Sequence, residues 1–343
     1  MAPLLFRINK TNNRGISTLE FREKDVTIQS KVALKGTLCL PNVREEKGPA
    51  VLIIPGTGNL DRNGKVNAKL DLKLYRQLAE YLSSLGFINL RYDKRGVAES
   101  EGDYYKTGLW DLVDDAIAGV QFLKNQPEVD PEKVIVLGHS EGSMIGTIVA
   151  AREELAGVIL LSGAVSTLSE ALKYQREIAA QDVKTAKGFQ GFIFRLLGVQ
   201  NKIEKQAQKL IDKVLSSNKE VMKFGFTKLN AKWMREHFQY NVREDLAKVS
   251  CPVLAITGAR DIQANPKDLE DLPKYVKGDA EYHIVENMGH SCKFPAQTSN
   301  ILSARKDIVA EGSLPIHPEL LALLEKWLNK QFSAKNLDET VII

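Results

Sequence analysis

Five short apolar runs constrain this chain more than any other feature. "AVLIIPG" from residue 50, "FINLRYD" from 87, "KVIVLG" from 133, "GVILLSG" from 157 and "PVLAITG" from 252 are rich in β-branched residues and end in glycine or a charged loop. An unbroken apolar run suits a strand covered on both faces, the habit of a parallel sheet. Helical periodicity fills the gaps. "LDLKLYRQLAEYLSSLG" puts Leu74, Leu78, Leu82 and Leu85 on one face, with Gly86 as the stop. "LWDLVDDAIAGVQFLKN" does the same with Val113, Ile117, Val120 and Leu123, and "HPELLALLEKWLNKQF" with Leu320, Leu324, Trp327 and Leu328. Ahead of them, "VALKGTLCL" alternates with a period of two, and "LEFREKDVTIQ" reads as its antiparallel partner. Strand and helix in repeated alternation predict an α/β fold, a mostly parallel doubly wound sheet with helices on both faces.

The alternation stops near residue 165 and resumes near 250. Sequence such as "EKQAQKLIDKVLSSNKEVMKF" predicts a mostly helical insertion without a strand run. This divides the chain into a first core part over 1–164, an insertion over 165–245 and a second core part over 246–343. The insertion carries fifteen Lys/Arg against nine Asp/Glu, whereas the whole chain has a net charge of only +4. That balance is too small to imply a nucleic-acid partner; a solvated lysine-rich face accounts for it, and an anionic acyl carrier is the alternative. The patch "GFQGFIFRLLG", with Phe189, Phe192, Phe194, Leu196 and Leu197, reads either as the insertion's own core or as a pocket wall. Three cysteines, Cys39, Cys251 and Cys292, have no C-x-x-C spacing, which argues against a disulfide framework or a thiolate zinc site. The start lacks the apolar region of a secretory signal, and no run is long enough to span a bilayer. The expectation is a cytoplasmic protein.

Within "VIVLGHSEGS", Ser140 stands between Gly138 and Gly142, directly after a strand run and before the helical "SMIGTIVAAREEL". G-x-S-x-G alone is a weak signal, but a strand-to-helix turn that presents a serine needs glycines on either side to relieve crowding. A serine hydroxyl is a poor nucleophile until a base takes its proton. Of the five histidines, His139 adjoins the serine and should point elsewhere, His237 lies in the insertion, His283 belongs to a strand face, and His317 precedes the last helix as a capping residue. His290 in "VENMGHSCKF" lies on a loop directly after a strand, where sites of α/β sheets assemble. Asp261 in "PVLAITGARDIQANP" follows a buried run and a glycine turn, and is the candidate acid to orient the histidine; Asp268 and Asp271 are weaker candidates. The order Ser, Asp, His fits the hydrolase elbow arrangement. Backbone N–H groups for an oxyanion are expected from Glu141, the residue after the serine, and from Thr57, with Gly58 second, in "LIIPGTGNLDRNG". That loop lacks the G-K-[ST] ending of a phosphate-binding P-loop.

Together these stretches resemble the α/β-hydrolase superfamily, and within it the small serine carboxylesterases with a G-x-G-x-x-D-R-x-G loop. The matching pieces are "GTGNLDRNG", "RYDKRGVAES", "GHSEG", "TGARDIQ" and "NMGHSCK", in that order, and the likeness runs from about residue 25 to 332. It implies Ser140 as nucleophile, His290 as base, Asp261 as orienting acid and residues 165–245 as a cap over the site. Ala98, Ala264 and Gly289 depart from the usual glycine, valine and asparagine. Asp61 and Arg62 match the family's loop and are expected to make polar contacts that hold it. The expected activity is ester hydrolysis through an acyl-enzyme, without metal or cofactor, on a small-molecule ester with an apolar part. An acyl-CoA thioesterase, an acyltransferase or a small peptidase would use the same triad, while a binding module without catalysis would not need all three residues.

Overall fold

The computed structural model describes residues 21–42, 46–185, 199–295 and 304–332. The Phe189–Leu197 patch and the C-terminal "NLDETVII" therefore lie outside the described residues. The five apolar runs are strands: β3 (Gly48–Ile54), β6 (Ile88–Tyr92), β7 (Val129–His139), β8 (Gly157–Leu161) and β11 (Val253–Gly258). With β1 (Phe21–Gln29), β2 (Ala33–Pro41) and β12 (Ala280–Val285) they form an eight-stranded sheet ordered β1-β2-β6-β3-β7-β8-β11-β12. All pairings from β6 to β12 are parallel, whereas β2 runs antiparallel to both β1 and β6. The doubly wound α/β expectation holds.

Side chains that alternate along β3 divide the core in two. Ala50, Leu52 and Ile54 enter one cluster with helix α2 (Leu109–Lys124) and α3 (Glu141–Ala150). Val51 and Ile53 enter the other, against α1 (Leu74–Ser84) and the last helix, Pro318–Phe332. The residues expected on the inner faces are there: Leu74, Leu78, Leu82, Leu320, Leu324, Trp327 and Leu328 are buried on the second side. The continuous apolar runs thus reflect two covered faces.

Strand order also fixes where the chain opens. After β3 it leads through a short antiparallel pair, β4 (Lys65–Asn67) with β5 (Leu70–Asp71), and α1 to β6 on one side, and after β7 it leads through α3 to β8 on the other. The carboxyl ends of the adjacent β3 and β7 are therefore a topological switch point, where outgoing loops diverge and leave a crevice.

Residues 165–245 contain α4 (Leu168–Thr185), α5 (Val199–Leu215), α6 (Ala231–Gln239) and α7 (Val242–Leu246). One correction applies. Between α5 and α6 the chain forms an antiparallel hairpin, β9 (Val221–Phe224) with β10 (Thr227–Asn230), in a stretch expected to lack strands. Gly225, at φ 59°, supplies the left-handed turn that four-residue strands need in order to pair. Downstream come α8 (Leu272–Tyr275), α9 (Ala304–Glu311) and α10 (Pro318–Phe332). Among the described residues, no helix is long and apolar enough to cross a membrane.

Candidate active site

Ser140 occupies the junction of β7 and α3 with φ 56° and ψ −117°, a conformation that side chains rarely adopt. Neighbouring backbone leaves no room for further atoms there. A Cβ on Gly138 would overlap the Gly142 carbonyl, and one on Gly142 would overlap the Ile54 carbonyl. The turn is held by the Ser140 N–H, which donates to the Leu161 carbonyl at 2.8 Å, and by the Ser143 hydroxyl on the Gly138 and Leu161 carbonyls.

His290 lies on the loop after β12, with its Nε2 3.1 Å from the Ser140 hydroxyl oxygen. Its Nδ1 is 2.9 Å from Oδ2 and 3.1 Å from Oδ1 of Asp261, which follows β11 and is 1% exposed. The Asp261 Oδ1 also accepts the Gln263 and Ala264 N–H groups at 2.8 and 2.9 Å. A carboxylate receives only donors there, so the Nδ1 that faces it carries a proton and Nε2 presents a lone pair to the hydroxyl. The Ala264 departure costs nothing, because its contribution is a main-chain donor. From α4, the Tyr174 hydroxyl and the Gln175 amide donate to the Asp261 and Gln263 carbonyls, both at 3.0 Å. Ser140, His290 and Asp261, drawn from three distant stretches of chain, thus stand in one hydrogen-bonded line.

The other acids and histidines lie elsewhere. Asp268 bonds Ser166 and Asn265, and Asp271 bonds Lys274. His283 pairs with Glu281 on β12, and His317 accepts the Glu319 N–H at the start of α10, as a capping residue does. His139 points away from the hydroxyl, but to a purpose not legible in the sequence. Its Nε2–H donates to the His290 carbonyl at 2.9 Å, which leaves Nδ1 to accept the Tyr75 hydroxyl proton at 3.2 Å. The Tyr75 oxygen in turn accepts the Gly56 N–H at 2.7 Å. Burial, with the neighbouring His290 as a smaller cause, depresses the His139 imidazole to about 4, so it is neutral in the folded chain near neutral pH.

Thr57 and Gly58 follow β3 at the crevice, and Gly56 sits so close to the elbow that a Cβ would come within 3.2 Å of the Ser140 Cβ. Asp61 and Arg62 hold this loop, as expected. Asp61 accepts the Asn63 and Lys65 N–H groups, while buried Arg62 bonds Asp93 at 2.8 Å and also pairs with Glu99. Ala98 takes φ 47°, the left-handed conformation for which glycine is the usual residue. As the first residue of α3, Glu141 has an N–H without an intrahelical acceptor. Its side chain, which sequence reasoning left unassigned, turns inward to Lys94 at 3.2 Å, His237 at 3.0 Å and the Trp233 indole N–H. Burial would raise this carboxyl, but the Lys94 charge, the His237 bond and charge, and the Trp233 bond outweigh it and hold the group at about 2.

A parallel sheet with one antiparallel strand, a strained serine turn after β7 and an imidazole–carboxylate pair beyond later strands define an α/β hydrolase. The chain belongs to the family described as serine aminopeptidase, S33, whose model matches residues 71–294. It is 28% identical over 274 residues to the esterase EstD of Thermotoga maritima, covering 77% of this chain and 58% of that protein, so it spans little more than half the length of this relative. Est1E from Butyrivibrio proteoclasticus, solved with ferulic acid bound, superposes with a TM-score of 0.58 at 17% identity over 90% of this chain and all of that one. The Pyrococcus furiosus esterase Pf2001 does so with a TM-score of 0.53 at 14% identity, over 96% and 99%. At such identities the two structures attest the fold.

Proposed function

We propose that this hydrolase cleaves carboxylic esters of small molecules with an apolar part, by way of a covalent acyl-Ser140 intermediate. The observation that carries the reading is the line from the Asp261 carboxylate through His290 to the Ser140 hydroxyl, at 2.9 and 3.1 Å, on a turn held at φ 56°. In this mechanism His290 Nε2 takes the hydroxyl proton as the Ser140 oxygen bonds the ester carbonyl carbon. The carbonyl oxygen becomes an anion held by the Thr57 and Glu141 N–H groups. When the C–O bond to the alcohol breaks, His290 returns the proton to the departing oxygen. Water then gives up a proton to His290 and attacks the acyl carbon, the bond from that carbon to the Ser140 oxygen breaks, and His290 returns the proton to that oxygen as the acid leaves. Asp261 keeps the imidazole in the productive tautomer and stabilises its cation. No metal or cofactor is required by these steps.

The names of the relatives favour esters over peptides, and so does the local charge. An aminopeptidase must hold the substrate's terminal ammonium, usually with a carboxylate, yet the two carboxylates found at this site among the described residues, Asp261 and Glu141, are already engaged by protein partners. In this reading residues 165–245 cover the site, and α4 bonds the Asp261 loop. The deciding experiment is a turnover screen over p-nitrophenyl esters of increasing acyl length, with an acyl-CoA thioester and an aminoacyl amide alongside. Simple esters should turn over fastest, and Ser140→Ala should abolish both turnover and fluorophosphonate labelling. Ester turnover that survives Ser140→Ala would sink the proposal, and a preference for the amide would favour the peptidase.

A further inference from the structure

The Gly56–Thr57 peptide is gripped at its carbonyl by a buried cation. Lys94, which follows β6, is 3% exposed, and its ammonium donates to the Gly56 carbonyl at 2.7 Å. The same ammonium lies 3.2 Å from the Glu141 carboxylate, and Glu141 is the residue directly after the candidate nucleophile. The carboxylate is completed by His237 and by the Trp233 indole, two residues of α6 whose rings stack with centroids 4.2 Å apart. The chain has no cis peptide bonds among its described residues, so the Gly56 C=O and the Thr57 N–H point in opposite directions from one planar unit. A carbonyl held by Lys94 therefore fixes the Thr57 N–H on the opposite side of the peptide, away from the ammonium. A cation on the carbonyl also polarises the amide and strengthens its N–H as a donor.

We propose that Lys94 is a positioning residue of the oxyanion site, which orients and polarises the Thr57 N–H and is itself held by the Glu141 side chain. This rests on the ester-hydrolase reading above. Both donor peptides of the site are then tied to one buried ion pair, the first through the Gly56 carbonyl and the second through the residue that bears the carboxylate. The Trp233 and His237 contacts extend that tie to the helix that follows the β9–β10 hairpin.

The test compares wild type with Lys94→Met and with the double variant Lys94→Met/Glu141→Gln, which leaves no unpaired buried carboxylate and guards against misfolding of the single variant. Rates on a p-nitrophenyl ester are normalised to sites titrated with a fluorophosphonate, and inhibition is measured with an aryl trifluoromethyl ketone, which adds the serine oxygen and bears an oxyanion. Complete removal of one oxyanion donor costs on the order of 10²–10³ in kcat. A loosened and depolarised donor should cost less, about ten- to a hundredfold, with KM within about twofold and ketone affinity weakened in step with kcat/KM. A role confined to folding would lower the titratable fraction while leaving kcat per site and ketone affinity at wild-type values, and that result would overturn the proposal. Failure of both variants to fold would also overturn it, because the pair would then belong to the core. Failure of the parent reading has a separate signature, ester turnover that persists in Ser140→Ala with Lys94 intact.

Discussion

Replacement of Asp261 by asparagine should disable the site through a single proton. The Oδ1 position accepts the Gln263 and Ala264 N–H groups at 2.8 and 2.9 Å, so the carbonyl oxygen of an asparagine must stay there. Its NH₂ then falls where Oδ2 stands, 2.9 Å from His290 Nδ1 and nearer to it than the retained oxygen at 3.1 Å. Two donors cannot face each other, so the imidazole would move its proton to Nε2 and lose the lone pair that the Ser140 hydroxyl needs. The charge that stabilises the imidazolium disappears as well. In serine hydrolases with the same constellation this exchange lowers kcat by about 10⁴, equivalent to roughly 5 kcal/mol of barrier. Here kcat on a short p-nitrophenyl ester should fall by about that factor, with KM little changed and the thermal midpoint near wild type, since the shape and both main-chain bonds persist. A variant that keeps kcat within tenfold of wild type would refute the assignment of Asp261 as the group that sets the tautomer.

Two further outcomes follow from the elbow and its surroundings. Gly142→Ala drives a methyl group into the Ile54 carbonyl and within 2.9 Å of the Pro55 carbonyl. The Ile54–Pro55 backbone cannot swing aside as a side chain would, so the urea midpoint should drop by an amount equivalent to about 3 kcal/mol, and an unchanged midpoint would show that the turn is looser than described. The His139 imidazole takes up its proton near 6.5 in the unfolded chain but only at about 4 when folded. Its contribution to stability is therefore complete above pH 6.5 and is lost as the pH falls toward 4, a change of about 3 kcal/mol. Urea unfolding across that window should show the decline, and His139→Gln should flatten it; an equally steep fall in the variant would place the titrating group elsewhere.

Much of this arrangement was legible because burial and backbone geometry leave marks in sequence. The central strands carry apolar runs because helices cover both faces; Ser140 and Asp261 follow two of them, and His290 follows the edge strand β12, all where the loops diverge. What escaped notice depends on tertiary neighbours. Lys94 sits in a charged loop, "RYDKRG", where a lysine ordinarily reads as solvated. Only its burial against Glu141 reveals the pair. Trp233 and His237 share a face of α6 at i, i+4 spacing, but nothing local says that the face meets a carboxylate. His139 was expected to turn away from the hydroxyl and does; its bond to the His290 carbonyl spans 151 positions and has no local signature. The β9–β10 hairpin leaves little trace in the sequence because strands of four residues that include exposed lysines carry little periodicity.

The contact between His139 and the His290 carbonyl gives two successive residues a hold on the same partner. Residue 139 grips the main chain of the histidine, and residue 140 meets its ring. Any thermal displacement of the tip of β7 therefore carries the loop beyond β12 along with it. The spacing between hydroxyl and imidazole is buffered against such displacement, as the gap between two beads is when both are threaded on one wire.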